Sequence, residues 1–341
     1  MAKTIEIGGP WFEDFYVGQA MPDAPSVTVH SGYAAWHQAL FAERLRLALD
    51  ADLSRHITGG KDALVSPALL CNIAIGQTTY ASQRVKANLF YRGLVFKKPV
   101  YLGDTLTTTT TVIALKQNKY KEGRAATGMV VLEMEVRNQR DETALCFWRC
   151  PMIPCRDPRA ETGKDDSLEV IPTEINLSDI EASDSTCWDM DRFRGKFKGE
   201  HFAEIEKGTR FLVQARDTVT SAPELVRMTL NMATTHTDAK SSVYNRRLVY
   251  GGHTISMAAA QLTRALPNLV TFLAWRSCDH TAAVFEDDIL RSEISVLDKQ
   301  TLRRGGFLNL HIEVFAERGS QAPERGNNIK VLDWKPLVLM A

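Results

Sequence analysis

The chain has 341 residues, 44% of them apolar and 24% charged, a globular balance with room for about two domains of roughly 150 residues. Its 41 basic and 41 acidic residues cancel, which argues against a nucleic-acid binder, and no run of about eighteen apolar residues marks a membrane-spanning helix. The opening MAKTIEIGGPWFEDF lacks the basic, apolar, small-residue order of an export signal, so the six irregularly spaced cysteines read as reduced thiols of a cytoplasmic protein.

A short opening strand gives way to a helical pattern in which Tyr33, Trp36, Leu40 and Leu47 recur at helix spacing, with residues 41–46 inside it. A second helix is predicted from Pro67, a good first-turn residue, through LLCNIAIGQTTYA. It is apolar nearly all round, as expected of a helix wrapped by a sheet. The β-branched polar run 105–111 reads as a half-exposed strand, and 129–136 alternates with Val130, Leu132, Met134 and Val136 on one face. Residues 156–196 are acidic and polar with little apolar periodicity, so they read as a long linker or a surface-hugging connection. Further on, a helix starts at Gly251-Gly252, carries TISMAAAQLTRAL and stops before Pro267. Residues 308–314 place Leu308, Leu310, Ile312 and Val314 inward and Asn309, His311 and Glu313 outward, and the polar stretch 317–328 reads as a hairpin loop.

These elements repeat. Sliding the chain by 184 positions lays 64–106 over 248–290 without a gap and makes eleven of 43 pairs identical, among them Val65/Val249, Gln77/Gln261, Thr79/Thr263, Val100/Val284, Asp104/Asp288 and Leu106/Leu290. Chance would give roughly three. FEDFYVGQ at Phe12 resembles FAEIEKGT at Phe202, and Trp148-Arg149 resembles Trp334-Lys335. The expected fold is therefore α+β: two units, each an antiparallel sheet curled around one helix, joined edge to edge as a pseudo-dimer within one chain. The units fall at 1–155 and 197–341, with 156–196 as the connection.

The helix that starts at Gly251-Gly252 is embedded in LNMATTHTDAKSSVYNRRLVYGGHTISMAAAQ, where Asn231-Met-Ala-Thr-Thr-His236 precedes Leu248-Val249-Tyr250-Gly251-Gly252. This resembles the MaoC-like dehydratases, or R-specific enoyl-CoA hydratases, in their double hot-dog form. That family carries an Asp, four residues and a His on a loop, then an apolar pair, a His or similar residue, and a Gly that opens the hot-dog helix. The resemblance covers nearly the whole chain and points in particular to the mesaconyl-CoA (2-methylfumaryl-CoA) hydratases and to uncharacterised actinobacterial double hot-dog proteins. It implies an acyl-CoA hydratase acting on an enoyl-CoA thioester, with a branched or dicarboxylic acyl group among the candidates, with His236, Asn231 and Gly251 as the catalytic set, no cofactor and no metal, and an acyl-CoA thioester as the substrate partner.

The chemistry agrees with those residue types. Hydrating an α,β-unsaturated thioester needs a base for water, a proton for the neighbouring carbon, and a donor for charge on the thioester oxygen. Imidazole can take and return a proton near neutrality, which suits His236. A helix N-terminus offers unpaired N–H groups, and a Gly there lets a carbonyl approach the backbone, which suits Gly251 and Gly252. Arg246 and Arg247 are candidates for an acyl carboxylate or a CoA phosphate, or else solvated loop residues. Asp238 is a candidate for orienting His236.

The departure is Asn231 in place of the family's Asp, because an amide orients water but takes no proton near neutral pH. Two rival readings therefore stand: a non-catalytic acyl-CoA-binding protein, and a hot-dog thioesterase. The first unit has neither Asp nor His at 41–46 and is expected to serve as the wall of a substrate tunnel. His30, His37 and His56 are too dispersed for a metal cluster, Cys146, Cys150 and Cys155 lack zinc-ligand spacing, and His253 reads as a packing or capping residue. Asp279-His280 reads as a surface pair sooner than a dyad. No nucleic acid or membrane is expected as a partner, and the chain is compatible with pairing as a homodimer.

Overall fold

The computed structural model describes residues 3–172, 174–181, 183–319 and 328–341. The fold is organised by two central helices. Pro67–Gln77 starts with proline in its first turn and with Ser66 Oγ accepting from the Ala68 amide, and every one of its residues is buried. Gly251–Ala265 is buried along most of its length and stops two residues before Pro267. A helix apolar on all sides needs burial all round, which a wrapped sheet provides.

The strands supply that wrap: β1 (Val27–Thr28), β2 (Ala87–Phe96), β3 (Thr105–Gln117), β4 (Thr127–Arg137), β5 (Thr143–Pro154), β6 (Arg210–Leu212), β7 (Asp217–Thr218), β8 (Leu269–His280), β9 (Ile289–Thr301), β10 (Gly306–Glu317) and β11 (Ile329–Met340). Among the described residues they form one eleven-stranded sheet in the order β1-β3-β4-β5-β2-β8-β11-β10-β9-β6, with β7 pairing off this path to β9. The halves meet where β2 runs antiparallel to β8, Tyr91 opposite Cys278 and Val95 opposite Ala274. That pairing converts two edges into interior strands, as the α+β pseudo-dimer requires. Val130, Leu132, Met134 and Val136 of β4 and Leu308, Leu310, Ile312 and Val314 of β10 all face the core.

The identities between the halves mark equivalent hydrogen bonds. The Val65 amide donates to the Val100 carbonyl and that of Val249 to Val284. Gln77 Nε2 donates to the Leu106 carbonyl and Gln261 Nε2 to that of Leu290, both at 3.0 Å. Asp104 accepts from the Tyr101 amide as Asp288 does from that of Phe285. Asn72 Nδ2 donates 2.8 Å to Ser256 Oγ, its own counterpart 184 residues on, where the central helices cross. The opening turns match too: Lys164 Nζ donates to the carbonyls of Phe12, Glu13 and Phe15, and Lys299 Nζ to those of Phe202, Ala203 and Ile205.

Three local expectations change. The first helix, Ser31–Phe41, ends at Ala42 in the left-handed region (φ 50°), so Leu47 belongs to a separate short helix, Arg46–Leu49. The connection 156–196 is no bare linker: it forms the helices Leu177–Glu181 and Met190–Lys196 and buries Trp188, Met190 and Phe193. The Trp148/Trp334 echo is out of register by one residue, because Trp334 is buried with the inward phase that Phe147 occupies while Trp148 is half-buried on the other face. Most of the hairpin loop expected at 317–328 lies outside the described residues. None of the described helices is long and apolar enough to cross a membrane.

Candidate active site

The loop after Ala222–Met228 is turned by Leu230, a non-glycine residue in the left-handed region (φ 57°), and is then tied to the other half of the chain. The Met232 amide donates to Thr79 Oγ1 (2.9 Å) and the Thr234 amide to the Gln83 carbonyl (2.9 Å). Asn231 Oδ1 accepts from the Ala233 amide at 2.9 Å, which fixes the side chain and leaves its NH₂ as a donor. His236 follows in the short helix Thr234–Thr237. Its Nδ1 lies 2.7 Å from the Leu248 carbonyl, which can only accept, so the proton sits on Nδ1 and Nε2 carries the free lone pair. Burial pushes the His236 pKa down to about 4 against the smaller opposing pull of that carbonyl.

His236 and Asn231 line a cavity of about 240 Å³ together with Gly251, Tyr250 and His280 of the C-terminal half, and with Tyr91 and Arg149 of the N-terminal half. Tyr250 offers no side-chain cap to the helix Gly251–Ala265, so its first amides keep free donors at the cavity wall. A Cβ at Gly251 would stand 2.4 Å from His280 Nε2, so only glycine lets that imidazole meet the helix start. His280 Nε2 is buried without a partner among the described residues. Burial, and then the proximity of His236, hold the His280 pKa at about 4. Both rings keep some surface because the cavity reaches them, while protein encloses them on the remaining sides.

The cavity thus gathers His236, Asn231 and Gly251, but not the other four candidates. Gly252 packs into the helix crossing, where a Cβ would stand 2.0 Å from Asn72 Oδ1. Asp238 is exposed and spends its oxygens on the Lys240 amide and Ser241 Oγ, so the Leu248 carbonyl orients His236 instead. Arg247 pairs with Glu286 at 3.0 Å, and Arg246 lies over the Phe285 ring at 3.9 Å. Neither arginine lines the cavity. His253 is buried edge-on to Phe41. Strand alternation splits Asp279 from His280: Asp279 binds Arg92 bidentately at 2.5 and 3.2 Å, while His280 faces the cavity.

His280, Tyr91 and Arg149 are among the lining residues that sequence reasoning did not place at the site. A signal existed for one of them, since Arg149 falls in the inward phase of β5 with Leu145 and Phe147. The false echo with half-buried Lys335 hid it.

In the N-terminal half, left-handed Ala42 matches Leu230, and the Arg44 amide donates to Thr263 Oγ1 (3.0 Å) as that of Met232 does to Thr79 Oγ1. Glu43 then stands where Asn231 does, and Ala48 where His236 does. Phe96 replaces His280, Trp188 of the connection packs in, and the equivalent space shrinks to about 20 Å³. Glu43 accepts from Ser66 Oγ at 2.5 Å, and its burial pushes the carboxyl pKa up to about 7.

These shifts predict how stability follows pH. His37 is held at about 3, and His236, His253 and His280 at about 4, all chiefly by burial. The unfolded chain binds protons at these four imidazoles below about pH 6.5 and the folded chain does not, so acidification favours unfolding. Glu43 acts in the opposite sense, because the folded state keeps a proton that the unfolded state releases between its ordinary value and 7. With four groups against one, the urea midpoint is expected to fall sharply from pH 7 to pH 5, each imidazole contributing about 1 kcal/mol per pH unit. Equal midpoints would show that the imidazoles are not held neutral by the fold.

A continuous antiparallel sheet wrapped around paired helices, with an imidazole-bearing cavity at the start of the helix Gly251–Ala265, defines a double hot-dog protein. None of the protein-family models matches the chain. Among solved structures it is similar to RV0216 of Mycobacterium tuberculosis, a conserved hypothetical protein with a double hot-dog fold: 44% identity, covering 99% of this chain and 100% of that one, TM-score 0.89. A Chloroflexus aurantiacus protein described as a MaoC-domain dehydratase matches at 27% identity over 100% of this chain and 99% of that one, TM-score 0.85. By sequence the chain is 29% identical over 311 residues to beta-methylmalyl-CoA dehydratase of Chloroflexus aurantiacus, covering 86% of this chain and 84% of that one. It is 28% identical over 326 residues to mesaconyl-CoA hydratase of Cereibacter sphaeroides, covering 92% and 91%. The chain belongs with RV0216 to the double hot-dog proteins, and it is similar to the MaoC-domain dehydratase and the two CoA-thioester enzymes at 27–29% identity.

Proposed function

We propose that the chain is a hydro-lyase that reversibly adds water across the double bond of an enoyl-CoA thioester. The observation that carries this reading is the convergence of the His236 imidazole and the Gly251 helix start on one cavity. With Nδ1–H held by Leu248, His236 Nε2 takes a proton from water as the oxygen attacks the β-carbon. The negative charge moves to the thioester oxygen, where the free amides at Gly251 and the positive end of the helix stabilise it. The same Nε2 returns the proton to the α-carbon, so water is added whole and the imidazole ends neutral. Asn231 holds the water through its NH₂ and has no need to titrate.

Residues 197–341 carry this chemistry, residues 1–155 supply the opposite wall, and 156–196 connect them. The lining residues named for the cavity include no Asp or Glu, which disfavours the carboxylate-activated water of a thioesterase. The test is enoyl-thioester absorbance with crotonyl-CoA and mesaconyl-CoA. Loss of absorbance with CoA still attached is expected. Release of free thiol would make the protein a thioesterase, and binding without either change would make it a non-catalytic binder.

A further inference from the structure

A repeated fold carries a second chamber where the active cavity has its counterpart. At the offset of 184 residues, Leu64, Val65 and Val100 fall on Leu248, Val249 and Val284, and each set lines the space of its own half. Three replacements take the chemistry away. Pro67 falls on Gly251 and has no N–H to offer a thioester oxygen, Phe96 falls on His280, and Leu70 falls on Thr254. What remains is a mainly apolar chamber at the start of the helix Pro67–Gln77, of which about 20 Å³ stays empty. The connection fills the rest: Trp188 is buried there, and Ser183 and Ser185 close over it. Beyond the indole lies an open cleft of about 370 Å³, and Lys98, Pro99 and Trp188 line both spaces. The indole is therefore the partition between chamber and cleft. Its polar fastenings are thin. Lys98 Nζ meets Asp184 at 2.9 Å with both side chains half-exposed, and Ser183 Oγ donates to the Phe96 carbonyl at a long 3.3 Å. Such ion pairs add little, so burial of the indole is what holds residues 183–188 in place.

We propose that the N-terminal unit keeps a second, non-catalytic binding site for an apolar acyl chain, and that Trp188 is its door, displaced by the chain as it enters from the cleft. The site follows from the repeat, and the choice of an acyl chain as its ligand rests on the hydratase reading of the equivalent cavity. A mainly apolar chamber stays dry and takes an apolar ligand in preference to water. Neither a helix-start amide nor an imidazole is among its described lining residues, so it grips an acyl group by the chain and leaves the thioester unreacted. Because the door opens first, affinity in the wild type is the intrinsic affinity scaled by the fraction of open chains.

The experiment counts hexanoyl-CoA bound per chain by calorimetry, a saturated thioester with nothing to hydrate. Trp188→Ala is expected to bind two molecules, the second roughly 100-fold tighter than the second in wild type, because no buried indole has to be displaced. With acetyl-CoA, which has no chain to fill the chamber, the same variant is expected to bind one. A folded Trp188→Ala protein whose second site is absent, or no tighter than in wild type, would overturn the proposal. Should that variant not fold, amide exchange on the wild type decides. Excess hexanoyl-CoA, unlike acetyl-CoA, is expected to speed exchange at Asp189, whose amide donates 2.9 Å to the Ile57 carbonyl beside the door, and unchanged exchange would overturn the proposal. A wild type that binds no hexanoyl-CoA tightly beside a Trp188→Ala protein that binds one would discard the hydratase reading and keep the second site.

Discussion

His236→Ala is expected to lower kcat for enoyl-CoA hydration by about 10³–10⁴-fold while thioester affinity changes little. Among the described lining residues, His236 supplies the lone pair that is both aimed by a fixed hydrogen bond and able to move a proton. Asn231 has no proton to exchange, so nothing on its loop replaces the lost base. His280 Nε2 faces Gly251 across the helix start, and the Leu248 tie that aims Nε2 belongs to His236 alone. Removing the ring also leaves the Leu248 carbonyl short of a donor, at about 1–3 kcal/mol, which urea unfolding would register separately from kinetics. A variant that still turned over at a tenth of the wild-type rate would end the assignment of His236 as the base.

The same geometry predicts the pH profile. The reactive form has neutral His236, whose pKa lies at about 4, so kcat/KM should stay flat from pH 8 down to about pH 5 and fall only near 4. A fall centred at 6.5 would mean that the ring is solvated in the working enzyme.

Where the chain was legible in sequence, one physical signal acted without competition. The phase of 308–314 and 129–136 is set by which side of a strand meets the core, and the two central helices are apolar because a sheet surrounds them. The repeat was legible because paired bonds such as Gln77 to Leu106 and Gln261 to Leu290 need the same residue types twice. The site loop was only partly legible. Its turn rests on Leu230 and Ala42, and residues other than glycine in the left-handed region leave no compositional mark. Arg246 and Arg247 looked like anion ligands because charge is visible in sequence and orientation is not. Arg149 was paired in sequence with Lys335, one residue out of register, and a one-residue slip on a strand swaps its faces. His280 was misread beside Asp279 for the same reason, since neighbours on a strand point to opposite sides.

The two adjacent glycines at the start of the second helix are expected to fail in different ways. In Gly251→Ala the new Cβ meets His280 Nε2 at 2.4 Å, at the cavity wall where the proposed reaction places the thioester oxygen. Stability should change little, while kcat/KM should fall by about 10²-fold through loss of the oxyanion position. In Gly252→Ala the Cβ meets Asn72 Oδ1 at 2.0 Å and the Tyr250 ring at 2.7 Å. Asn72 cannot step aside without breaking its bond to Ser256, which holds the two central helices together. Overpacking there should cost about 1–3 kcal/mol in urea unfolding, with activity falling only as far as Tyr250 is displaced. The contrast isolates the chemistry from the scaffold, because one methyl group is added at neighbouring positions of the same helix. A Gly251→Ala protein that was destabilised yet fully active, beside a Gly252→Ala protein that was stable yet inactive, would place the oxyanion site on the wrong amide.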